Sequence, residues 1–194
     1  MNTQPKEPMH TSDRSGRKTL SLAAGNCIQV IGIGLGSALV WFSAQAGART
    51  SAERVAILLA GYVVLYFTTH ALMHALIGRL LGMRFTHYSV GGSTHASAYP
   101  PVLRQVFAHL PFFAAHTDRH SLAAAHPAAR AAMYLAGILG TVLFCTAAAL
   151  FAMRAGVPGG SALFVFNGIW LLSSLIAEWR LGGDVAKAIG AFAR

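Results

Sequence analysis

Two histidines four residues apart, His70 and His74, sit inside the apolar run Leu65-Tyr66-Phe67-Thr68-Thr69-His70-Ala71-Leu72-Met73-His74-Ala75-Leu76-Ile77-Gly78-Arg79. On a helix, positions i and i+4 share one face, one turn apart. Two imidazoles placed so can hold one metal ion between them. An ionisable side chain inside a membrane span is by default a sign of a functional site. The plainer alternative is a pair of bundle-facing histidines, each hydrogen-bonded to a neighbouring helix.

Composition says what must position this pair. Of 194 residues, 55% are hydrophobic and 11% charged, against about 25% charged in an average soluble domain. The chain therefore reads as an all-α membrane protein with the lipid bilayer as its solvent. Four apolar runs are long enough to span, at about 22–46, 55–81, 128–153 and 161–179. Residues 1–20 read as a disordered polar tail ahead of a single helical domain over 21–190. Residues 82–127, punctuated by Gly91-Gly92, Pro100-Pro101, Pro111 and Pro127, read as an irregular, interfacial insert. Within it Met83–Val90 can form a strand, and Val102–Phe113 suits the interface more than a span. Gly32 and Gly36 make a GxxxG spacing that admits a close helix neighbour. Cys27 and Cys145 fall in apolar runs and read as packing residues, with no disulfide or Cys-based zinc site implied.

The net charge of +9 invites a nucleic-acid reading, but its placement argues for a membrane instead. The N-terminal tail carries four Lys and Arg, the 79–130 segment five and the C-terminal segment three, while the remaining loops carry only Arg49, Arg54 and Arg154. The positive-inside rule then puts both termini and the insert in the cytosol, as in a bacterial inner membrane, with no nucleic acid as partner. On that orientation His74 lies about 12 Å and His70 about 18 Å inside the cytosolic end of the second span. Asn167, Ser174 and Glu178 fall on one face of the fourth span, with Asn167 expected at the depth of His70. This stripe can face the histidines across a cleft; alternatively Asn167 and Ser174 serve as helix-packing polar groups and Glu178, near the interface, pairs with Arg180 or faces water.

A catalytic zinc takes three protein ligands and a water, so two imidazoles are not enough. Six acidic residues are available. Glu7 and Asp13 are in the tail, Glu53 lies at the opposite membrane face, and Asp118 is in the insert. Glu178 and Asp184 flank the end of the fourth span. Asp184 comes directly after Gly182-Gly183, and such a pair permits a turn that brings it back toward the bundle.

At these residues the chain resembles the site-2 protease family of intramembrane zinc metalloproteases, in which a membrane helix carries HExxH and a later segment supplies an Asp. His70-Ala71-Leu72-Met73-His74 has the histidine spacing. The run Ile77-Gly78-Arg79-Leu80-Leu81-Gly82-Met83-Arg84-Phe85 and the pair Gly91-Gly92 are similar to the small-residue and glycine pattern that the family carries after its histidine motif. Ala136-Gly137-Ile138-Leu139-Gly140 is similar to the family's Ala-Gly segment. The resemblance spans residues 60–190 and implies zinc on His70 and His74, with Asp184 as third ligand and Glu178 as fallback. Asn167 and Ser174 would line the cleft, and a transmembrane helix or partner protein would be the substrate.

Two departures matter. Ala71 stands where the family has its catalytic Glu, and loss of a general base costs about 10²–10⁴-fold in rate. The family's Asn-Pro-Asp-Gly arrangement is also not intact, since Asn167 is far from Asp184 and the order is Gly-Gly-Asp. The expectation is a metal-binding relative without efficient proteolysis. Two other classes stay open. His116-Thr117-Asp118-Arg119-His120 is a second HxxxH, and with His87, His95, His109 and His126 it resembles the histidine-rich membrane di-iron hydroxylases and desaturases, with Fe in place of Zn and Asp118 as oxygen ligand. The third class is a membrane scaffold or binding protein without enzymatic activity.

Overall fold

The computed structural model describes residues 17–193 apart from 46, 48 and 94–100. His95 and most of the predicted N-terminal tail thus lie outside the described residues. Four helices are long and apolar enough to cross a membrane: α1 (Leu22–Ala44), α2 (Ser51–Leu80), α5 (Pro127–Arg154) and α6 (Gly160–Arg180). The shorter elements are β1 (Lys18–Leu20), β2 (Phe85–Gly91), α3 (Pro101–His109), β3 (Phe112–Thr117), α4 (Arg119–Ala124) and α7 (Asp184–Gly190).

The helix ends carry recognisable signals. Ser21 caps α1 by accepting from the Ala24 N–H. Thr50 and Glu53 form a reciprocal capping box, which starts α2 at Ser51, four residues earlier than its apolar pattern suggests. Glu53 is therefore a cap of the second span. Pro127 opens α5, where its missing N–H costs nothing.

The bundle is held by close approaches. Gly36 of α1 lies against Leu65 and the Gly61 carbonyl of α2, and a Cβ there would be 2.8–3.0 Å from them. This is the close contact that the GxxxG spacing implied. Cys145 is fully buried among Leu58, Tyr62, Ala148 and Ala149, whereas Cys27 is exposed on α1 and takes no part in the core.

Between α2 and α5 the chain is more ordered than its Gly and Pro content suggests. β1, β2 and β3 form an antiparallel sheet in that order, with a bulge between Phe85 and His87. The expectation of disorder through residue 20 is corrected here: Lys18, Thr19 and Leu20 pair with Val90, Ser89 and Tyr88. β2 is the predicted strand, shifted slightly. The interfacial segment is split, with a helix to His109 and then a strand from Phe112, because Pro111 interrupts it. Tyr88 is fully buried under the sheet and donates to Asn26 Oδ1 of α1 at 2.7 Å, fixing the sheet to one end of the bundle.

A candidate metal centre at the end of the bundle

α2 places His70 and His74 one turn apart, facing α5. α7 then returns to meet them. Gly182 takes a positive φ of 73°, so the chain reverses after α6 and Asp184 becomes the first residue of α7. Asp184 Oδ2 lies 3.1 Å from His70 Nε2 and 2.9 Å from His74 Nε2, and the two Nε2 atoms are 3.1 Å apart. Among the described residues these three make the one group of His, Cys, Asp or Glu side chains with the spacing to hold a metal ion.

Groups behind the imidazoles determine what the Nε2 atoms offer. His74 Nδ1 is 2.7 Å from the Met133 carbonyl, which can only accept. That nitrogen therefore carries the proton. His70 Nδ1 is 3.3 Å from Thr141 Oγ1, and the Thr141 hydroxyl spends its own proton on the Gly137 carbonyl at 3.1 Å. The hydroxyl oxygen thus accepts from His70 as well. With both Nδ1 atoms donating outward, the neutral rings aim both Nε2 lone pairs at a carboxylate oxygen. Three acceptors within about 3 Å need a cation among them, whether protons on the rings or a metal ion, and a ring N–H tied to a carbonyl or hydroxyl is the usual second layer of a metal site. The donor set also fits in size. Tetrahedral zinc with bonds of about 2.0–2.1 Å separates its ligand atoms by about 3.3 Å, a few tenths from the spacing observed.

Asp184 is itself held from two sides. Its Oδ1 receives Lys187 Nζ at 3.0 Å, and its backbone N–H donates to Glu178 Oε2 at 2.6 Å. Burial raises the pKa of the Asp184 carboxyl, but with protons rather than a metal ion on the two Nε2 atoms, the hydrogen bonds from His70 and His74 and the charges of His74 and Lys187 outweigh it and hold the group well below the ordinary carboxylate range. Glu178 is thus turned toward the Asp184 backbone and not toward the histidines, a correction of its fallback-ligand role. Gly183 allows this, because a Cβ there would meet Glu178 Oε2. Gly137 of α5 serves His74 in the same way: a Cβ at 137 would collide with His74 Nε2.

Asn167 does not line the cleft. It is buried, accepts from Tyr62 OH at 2.7 Å and donates to Thr146 Oγ1 at 3.1 Å. Tyr62 is eight residues before His70, so Asn167 lies about 12 Å deeper than expected. The reason is that the third ligand arrives from beyond α6, which puts the site opposite the last turns of that helix. Ser174, nearer that end, does line the cavity with His70.

Two cavities meet at the site. One of about 220 Å³ runs between α2 and α6, with Tyr66, Phe67, Phe107, Phe112 and Trp170 as its aromatic wall and His70, Ser174 and Glu178 at its polar end. The second, about 250 Å³, opens beside the sheet and reaches His70, His74, Asp184, Arg17 and Lys187. Ala71 lines neither. It is 1% exposed and packed with Ala75, Met83, Phe85, Tyr88 and Met133.

The second HxxxH does not form a site. His116 is in β3, where it stacks on His87 with ring centroids 4.3 Å apart and bonds Ser89 Oγ at 2.8 Å. His120 belongs to a different element, α4, so the two histidines do not share a helix face. Asp118 caps α4 through the Ser121 N–H. Parallel stacked rings cannot both direct an in-plane lone pair at one ion.

The fold and site define a helical membrane protein with a His–His–Asp group able to hold a metal ion. No protein-family model matches the chain, and no curated protein or solved structure is significantly similar to it.

Proposed function

We propose that the chain is a membrane-embedded metal-binding protein of the site-2 protease type, without efficient proteolysis. The observation that carries this reading is the pairing of two outward-donating Nδ1 atoms with two Nε2 atoms converging on Asp184 Oδ2. His70, His74 and Asp184 would hold the ion, with zinc favoured by the nitrogen-rich, small donor set, although imidazole and carboxylate also accept iron. A bound ion would supply Lewis acidity and an acidified water. Around it, Thr141 and Met133 orient the imidazoles, and Lys187 and Glu178 orient the carboxylate. The aromatic wall keeps one side of the site dry. With the Lys- and Arg-rich end taken as cytosolic, the site opens toward the cytosol.

The residue that would take the water's proton in a protease is absent at position 71, and Ala71 is packed away from both cavities. This supports binding without turnover. Metal analysis of detergent-purified protein tests the reading. About one zinc per chain, lost in His70→Ala/His74→Ala, is expected. Two irons per chain would favour the di-iron class, and no metal in either form would overturn the reading. Ala71→Glu should remain inactive toward a membrane-helix substrate, like His70→Ala, because the new carboxylate enters a packed cluster. A large gain of peptidase activity would restore the protease reading.

A further inference from the structure

We propose that a third cavity, between the start of α5 and α7, binds the phosphate group of an anionic membrane lipid. It shares Lys187 with the candidate metal centre but requires no ion there. The cavity measures about 530 Å³, and its walls include Leu122, Arg130, Tyr134, Lys187, Gly190 and Ala191. Two cations face it, and no carboxylate side chain is among its described lining residues. Arg130 uses Nη2 on the Ala191 carbonyl at 3.3 Å, while its Nε is buried and has no hydrogen-bond partner among the described residues. That nitrogen is sealed from the cavity, so what Arg130 offers a ligand is the charge of its guanidinium and a planar fork that matches phosphate oxygens. Lys187 is tied to Asp184 Oδ1 and lies 5.7 Å from the Tyr134 ring, yet its side chain stays 48% exposed and adds a second positive charge.

The position selects a lipid over free phosphate. Arg130 is three residues past Pro127, the first residue of a membrane-length helix, and α7 comes directly after the end of another. Both therefore sit at headgroup level. Ile189 and Phe192, 59% and 64% exposed, are chain neighbours of the lining residues Gly190 and Ala191 and add apolar surface suited to acyl chains. Basic pockets between helices at this level hold acidic headgroups, and each Lys or Arg near an anionic leaflet strengthens binding about fivefold.

The test uses the full chain in a non-ionic detergent, titrated with phosphatidylglycerol, phosphatidylcholine or inorganic phosphate, with bound lipid read by native mass spectrometry. Phosphatidylglycerol should be retained well above phosphatidylcholine, and inorganic phosphate should compete weakly. Arg130→Gln and Lys187→Gln should each weaken retention of phosphatidylglycerol about fivefold. Lys187→Gln leaves the Arg130–Ala191 bond that seats α7 in place, so its result stands even where Arg130→Gln unseats the helix. His70→Ala/His74→Ala should keep the lipid preference, which separates this site from the metal centre. Equal retention of the two lipids, no effect of Lys187→Gln, or phosphate competing as well as the lipid would overturn the proposal.

Discussion

Gly137→Ala adds one methyl group, touches no ligand covalently and should still disable the metal centre. The new Cβ would occupy the space of His74 Nε2. His74 cannot withdraw without stretching its 2.7 Å bond to the Met133 carbonyl and its 2.9 Å approach to Asp184. Two effects compete in stability. Alanine is better than glycine in a helix by up to about 1 kcal/mol, while overpacking a tight contact costs about 1–3 kcal/mol. The net cost of about 0–2 kcal/mol leaves the fold intact. Metal affinity should fall further, by at least the roughly 10–100-fold typical of losing an orienting group. The assay is zinc competition against a chelator, with helicity followed by circular dichroism. Gly168→Ala, in the middle of α6, is the control, since among the described residues nothing lies within 4 Å of a Cβ there. Unchanged zinc affinity in Gly137→Ala, or equal losses in both variants, would refute the reasoning.

The contacts around Asp184 and Asn167 lead to two further predictions. Glu178→Gln keeps an oxygen for the Asp184 N–H, so metal affinity should stay within a few-fold of wild type, whereas Glu178→Ala should cost about 10–100-fold in the same zinc competition. Tyr62→Phe and Asn167→Leu should each lower stability by about 1 kcal/mol, with a coupling of about 0.6 kcal/mol in a double-mutant cycle monitored by denaturation in mixed micelles. Neither should alter metal content, because that pair is about 12 Å from the nearer histidine, His70.

The four spans are legible because an apolar run of about 20 residues has few other uses. Their starts are less so: α2 begins at Ser51 through a cap whose polar residues look like loop. The sheet is only half visible. Phe85–Gly91 has strand character, but Lys18–Leu20 is too short and polar to be recognised without its partner strand. At the site, His70 and His74 are legible from spacing; the scarcity of acids narrows the third ligand to Asp184 or Glu178, and Asp184 is preferred only through the resemblance to the site-2 protease family. What spacing cannot supply is the layer behind them. Met133 contributes a backbone carbonyl, which every residue has, and Thr141 and Lys187 are ordinary side chains until α5 and α7 bring them in. Gly137 carries a signal, since a glycine inside an apolar helix usually marks a close neighbour, but not the neighbour's identity. The depth of Asn167 relative to the site is not legible either, because α7, the element that sets the level of the site, lies in a stretch that reads as a short basic tail.

Asp184 comes 110 residues after His74 and is carried by a short helix beyond the last span. During synthesis the histidine-bearing helix is inserted long before its third partner exists. The group closes only after these four spans have been made and the segment that follows them has folded back. Any ion held there joins the second span to that segment, stabilising the finished arrangement in proportion to the ion's affinity and concentration. Metal uptake would thus report closure of the four-span bundle.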